Sequence, residues 1–295
     1  MRRTLTAVVV AGAVLALLPA GALAKGPSTE LAHGAMQGIV HARNARPKAQ
    51  PKSPNLAYHG GSVMHDGALV TAIYWGSSWG STSYQGDKVS GLATFYGAVG
   101  GSPYARTNIE YTDGTGHVSS SVTYQGTRFD GSSAPRRAPS VSAVMKVVAA
   151  NIPNPVANGY YPVYSDRKRG GAQYCAWHSW GTVHGVLVQF AFFFDLTGDS
   201  GCNPGSDGTS RSQALVALAN VSGHELSEAL TDPHGDGWTD NSGYENSDKC
   251  AWVFDQPAQL NGSTWRIQGN WSNAAFNAGT GLPNRSGQKG CLYNS

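Results

Sequence analysis

One run constrains this chain more than any other: Gly223-His224-Glu225-Leu226-Ser227-Glu228-Ala229-Leu230-Thr231-Asp232-Pro233-His234. The residues leading into it, 210–222, are good helix formers. Leu215, Leu218 and Leu226 recur on one face, as a half-buried helix requires. Ser210 or Ser212 is placed to cap the start, and Pro233 to stop the helix. His224 and Glu228 are four apart, so they project from one face a turn apart, the way a zinc-binding helix presents two ligands. Glu225 stands where zinc peptidases of the HExxH type carry their general base.

Glu228 takes the place of the second histidine of HExxH. A carboxylate is an acceptable zinc ligand, and an oxygen-richer site also suits manganese or calcium. From Glu225 to Asp255 there are eight acidic residues and one basic residue, Lys249. Such crowding is electrostatically costly unless the groups are well solvated or a cation neutralises them. The spacing of His224, Glu228 and His234 matches the longer HExxHxxGxxH pattern, with Glu228 and Thr231 replacing its second histidine and glycine. The methionine turn that follows in metzincins has no counterpart, because Met1, Met36, Met64 and Met145 all lie upstream. The third ligand therefore stays open among Asp232, His234, Glu245 and Asp248.

Residues 1–24 read as a signal peptide: Arg2 and Arg3, an apolar run from Leu5 to Leu18, and a small-residue cleavage site at Ala22-Leu23-Ala24. Residues 25–54 read as a disordered, basic, proline-rich leader or short pro-segment. Seven of the 21 Lys and Arg fall within residues 1–52, with one of the 18 Asp and Glu. The remaining 14 basic and 17 acidic residues leave the body at −3. The overall +3 is thus no sign of a nucleic-acid surface, and the body favours cations. No later stretch is long and apolar enough to cross a membrane once the signal is removed.

Residues 55–295 have the composition of a single globular domain, with a sheet-and-helix lobe at 55–231 and a loop-rich C-terminal lobe at 232–295. Leu69 to Trp75 reads as a buried strand, Val89 to Val99 as a helix, and His117 to Gln125 as a strand. Val141 to Ala150 reads as a helix opened by Pro139 and Ser140, and Val186 to Phe194 as a strongly apolar strand. That order predicts an α/β (α+β) fold, by analogy a zincin-like mixed sheet in which Val141 to Ala150 is the backing helix. Cys175, Cys202, Cys250 and Cys291 form an even set in an exported chain, hence two disulfides. Of the three connectivities, Cys175–Cys202 and Cys250–Cys291 are favoured because each closes a moderate loop within one lobe. His178 is either a packed, hydrogen-bonded histidine or a group lining the site and steadying an oxyanion.

Several segments together resemble the phosphate-induced, or EXORDIUM-like, proteins: Tyr58-His59-Gly60-Gly61, Thr71 to Gly76, Tyr174-Cys175-Ala176-Trp177-His178-Ser179, His224 to Pro233, and Glu245-Asn246-Ser247-Asp248-Lys249-Cys250. The resemblance spans most of residues 58–291. It implies export to an extracellular, wall or matrix setting, two disulfides and a shared site, without implying catalysis. Two functions are expected from the residues. The first is a secreted zinc-dependent hydrolase acting as a monomer on peptides, with Glu225 as base. The second is a non-catalytic binding or signalling protein of the cell wall or matrix, its acidic cluster holding a structural cation or none.

Overall fold

The computed structural model describes residues 33–43, 45 and 55–294. The signal peptide read at 1–24 lies outside them. Six strands form the main sheet: β1 (Gln37–His41), β2 (Ala68–Trp75), β3 (Val122–Asp130), β4 (Gly159–Lys168), β5 (Tyr174–Val183) and β6 (Val186–Asp195), in the order β1-β5-β6-β4-β2-β3. β6, β4, β2 and β3 run parallel to one another, whereas β5 is antiparallel to both β6 and β1. The fold is therefore mixed α/β, as the alternation of strand and helix signals predicts.

Connectivity fixes the layers. β2 reaches β3 through α1 (Lys88–Val99), and β3 reaches β4 through α2 (Val141–Asn151), which steps back across β2. Right-handed crossovers in opposite directions put their helices on opposite faces of the sheet. The long helix α3 (Gln213–Thr231), capped by Ser212, shares a face with α1. A Cβ at Gly91 of α1 would overlap the Leu215 side chain, so the glycine lets the two helices pack here without displacing that leucine. A hydroxyl chain ties both helices to the sheet: Tyr96 Oη lies 2.9 Å from Tyr164 Oη, which lies 2.8 Å from Ser222 Oγ. The helix backing α3 is thus α1, and not Val141 to Ala150 as the sequence suggested.

Two further expectations change. α3 is not half-buried: every residue from Ala214 to Thr231 is buried, including Asn220, His224, Glu225 and Glu228. Its polar side faces the C-terminal lobe, not water. The leader is not structureless throughout, because Gln37–His41 adds an edge strand to the main sheet. Backbone pairing stabilises this strand where its sparse apolar content does not.

The C-terminal lobe is built from short pieces. Ala258–Leu260 pairs with Ser263–Trp265, and Lys289–Leu292 pairs with both Asn270–Trp271 and Leu282–Pro283. Cys250–Cys291 fastens the Asp248–Cys250 turn to this sheet, and Cys175–Cys202 ties β5 to the turn at Ser200–Cys202. Both bridges match the favoured connectivity, and none of the described cysteines is free. They are bonds of the kind an oxidising compartment supplies. Among the described residues, no helix is long and apolar enough to cross a membrane.

Candidate metal centre

α3 delivers His224, Glu225 and Glu228 to the junction of three parts: the helix, β5 beside it, and the turn at Asp248–Cys250 from the C-terminal lobe. His224 Nε2 lies 3.0 Å from Glu228 Oε1 and 3.4 Å from Asp248 Oδ1. The Asp248 backbone N–H donates to the same Glu228 Oε1 at 2.8 Å, which fixes the turn against the helix. The other oxygen, Glu228 Oε2, faces β5 and lies 4.0 Å from His178 Nε2. His178 Nε2 in turn lies 3.2 Å from Glu245 Oε2. Two groups of ligand-type atoms result, each spanning no more than 4.8 Å: His224, Glu228 and Asp248, and His178, Glu225 and Glu228. Glu228 belongs to both.

These groups are buried, yet several of their polar atoms have no partner. Both carboxyl oxygens of Glu225 lack one, as do Glu228 Oε2, Glu245 Oε1 and His178 Nδ1. The Val40 backbone lies near enough to favour the ionised form of Glu225, but neither oxygen meets hydrogen-bond geometry. His224 Nε2 likewise approaches its carboxylates closely without a directed hydrogen bond. Buried polar groups are normally satisfied, so a concentration of orphans among ligand-type side chains fits a cation that would engage them.

Electrostatics separates the two histidines. For His224, burial works to lower the pKa, but Glu228 and Asp248 raise it to about 9. For His178, burial and the nearby His224 lower it to about 3, so its ring is neutral and ready to ligate. Burial raises Glu228 to about 7 against the pull of His224, and burial with neighbouring carboxylates holds Glu225 and Glu245 well above the ordinary range. Without a cation the site keeps protons it would shed on binding one.

A buried amide network orients the site. Gln268 Nε2 is 2.6 Å from His224 Nδ1 and donates to Ser247 O at 2.9 Å, and the Gln268 backbone N–H donates to Asn220 Oδ1 at 2.8 Å. When the ring is neutral, Nδ1 accepts in this orientation and Nε2 carries the proton. A half-turn of the amide would present its oxygen to Nδ1 and free Nε2 to ligate, at the cost of the bonds to Ser247 O and from the Trp252 N–H.

The structure keeps some candidates and removes others. His224, Glu228 and Asp248 come together, and Asp248 is the third member of that group. Glu225 and His178 join through Glu228, and His178 is also a buried histidine paired with Glu245. Glu245 reaches His178 but not His224. Asp232 ends α3, accepts the Gly237 N–H at 2.6 Å and sits against Glu245, outside both groups. His234 is excluded as a ligand: Ser62 Oγ lies 3.1 Å from its Nδ1, Gln189 Nε2 3.2 Å from its Nε2, and its ring packs edge-on to Trp180. The bend after Pro233 carries it away. Sequence reasoning did not find Gln268, Asn220 or Gly38, since nothing in their local spacing marks them.

Access is restricted. β1 crosses directly over the site, and Gly38 adopts φ 47° where a Cβ would overlap Glu228 Oε2 and the His178 ring. Beside it is a surface depression of about 230 Å³ lined by Gln37, Gly38, Ile39, Tyr244 and Asp248. The Asp248 side chain, 11% exposed, reaches that depression, whereas His224, Glu228 and His178 are fully covered. Comparison of the chain with protein-family models, curated proteins and solved structures gives no match.

Proposed function

We propose that this chain is an exported metal-dependent hydrolase acting on polypeptides, related to the EXORDIUM-like proteins it resembles in sequence. The observation that carries the reading is the meeting of His224, Glu228 and Asp248 beside the unpartnered Glu225 carboxyl. The imidazole-and-carboxylate set suits zinc, with manganese and calcium favoured progressively as oxygen ligands dominate. When bound there, the ion supplies Lewis acidity toward a scissile carbonyl and toward water. His224, Glu228 and Asp248 would hold it. Glu225 would accept a proton and return it to the leaving amine, and neutral His178 would donate toward developing negative charge. Buried surroundings strengthen each of these interactions.

Glu225→Gln and His224→Ala separate the roles. Glu225→Gln keeps shape and ligands, and its peptide-library hydrolysis should fall by on the order of 10²-fold or more with bound metal unchanged. His224→Ala should lose metal and hydrolysis together. Hydrolysis by Glu225→Gln at the wild-type rate would reject the assignment of the base.

The covering of Glu228 and His178 by β1 favours a second reading, a non-catalytic extracellular protein in which the same side chains hold a structural cation. It differs in one outcome: no hydrolysis by any form of the chain, with cation removal lowering stability alone.

A further inference from the structure

β1 and its flanks are held mainly through backbone. Beyond the β1–β5 ladder, the Gly34 N–H donates to Trp180 O at 3.0 Å, the Ala42 N–H to Gln173 O at 3.0 Å and the Arg43 N–H to Gly201 O at 2.8 Å. Side chains of the body complete the docking: Ser179 Oγ donates to Ala35 O at 2.7 Å and Trp252 Nε1 to His41 O at 2.8 Å. Val40 and Ala42 point inward and are buried, whereas Ile39 is partly covered and His41 exposed. This is how a peptide adds to a sheet edge: main-chain bonds give affinity, and alternate side chains enter pockets.

The pairing is irregular where it passes the site. Gln37 pairs with His178 and Val40 with Ala176, so one extra residue is accommodated around Gly38, directly above Glu228 and His178. Only a residue without a Cβ brings the backbone this close to the carboxylate. Without this segment, β5 would be an open edge, and Glu228 Oε2 and the His178 ring would lose the cover of Gly38.

We propose that residues 33–43 occupy, within their own chain, a strand-addition groove along β5 whose ligand is an extended polypeptide, with a glycine seated over Glu228 and His178. The segment holds the groove closed, and its displacement admits a polypeptide in trans. The groove gives the hydrolase reading a substrate class, but its test reads binding, so the two stand or fall separately.

The experiment uses the full chain with a site-specific protease sequence placed within residues 46–54, and a fluorescent peptide of residues 33–43 as probe. The intact chain should not bind the probe by anisotropy. After cleavage and dilution the chain should bind it, and a Gly38→Val probe should bind about 100-fold more weakly. A second form, the uncleaved Gly38→Val chain, expels its own segment and should bind the wild-type probe without cleavage. Three results would overturn the groove: a cleaved chain that loses its circular-dichroism signature, one that never exchanges its segment for the probe, or one that binds both probes equally. Repeating the titration with a chelator separates the two ideas: binding that persists while no form hydrolyses peptides removes the hydrolase and leaves the groove.

Discussion

Replacing Glu225 by leucine should stabilise the metal-free chain. The Glu225 side chain is fully buried, and neither carboxyl oxygen has a partner. An unsatisfied buried polar group costs about 1–3 kcal/mol, and leucine of similar size removes both orphans without opening a large void. The expected gain in chelator is about 2–4 kcal/mol, or roughly 5–10 °C in Tm for a folded unit of this size. The gain should depend on pH. Burial, with Glu228 and Asp248, raises the Glu225 pKa above its ordinary 4.5. Above that pH Glu225 therefore keeps its proton in the folded chain after the unfolded chain has lost it, and this group's contribution to wild-type stability falls as pH rises through the window. The advantage of Glu225→Leu should be smallest near pH 4 and widen toward pH 7. Urea denaturation in chelator at several pH values measures it. A variant less stable than wild type by more than about 1 kcal/mol would mean that the carboxyl is already satisfied, and the argument for a cation among the orphans would fail.

Two further outcomes follow from buried contacts. Lys249 Nζ lies 2.9 Å from Asp240 Oδ2 with both side chains fully buried, so Lys249→Met should lose about 3–5 kcal/mol in urea denaturation, and adding Asp240→Asn should recover part of that loss. Gln268→Leu removes the group that orients His224, so zinc affinity measured against a competing chelator should fall about 10- to 100-fold while the fold is kept.

The sequence made α3 legible because its signals are local: the Ser212 cap, the Pro233 stop, and the i, i+4 spacing of His224 and Glu228. The apolar runs of β2 and β6 and the cysteine pairs were legible for the same reason. β4 and β5 carry Tyr, Ser, Asp and His among their apolar residues, and their alternation is too weak to read. The strand read at His117 to Gln125 is displaced to Val122–Asp130, because the segment before it turns to close on Tyr111 and Met64. β1 exists through pairing with β5, more than a hundred residues away, which no local pattern records. The same applies to the choice among Asp232, His234, Glu245 and Asp248. All have plausible spacing, and only the anchoring of the Asp248 N–H to Glu228 selects Asp248 for the His224 group. Reading α3 as half-buried failed for a related reason: its polar face meets Asp248, Gln268 and Asn270 from the C-terminal lobe.

In the proposed function, His224, Glu228 and Asp248 hold a metal ion. The most direct test is metal content, by elemental analysis of the purified chain after dialysis against excess zinc and then metal-free buffer. Wild type should retain one equivalent of zinc at this group, and His224→Ala and Asp248→Ala should each lose it while keeping their circular-dichroism spectra. A wild-type chain that retains no zinc, manganese or calcium, or a His224→Ala chain that retains the full equivalent, would contradict the site.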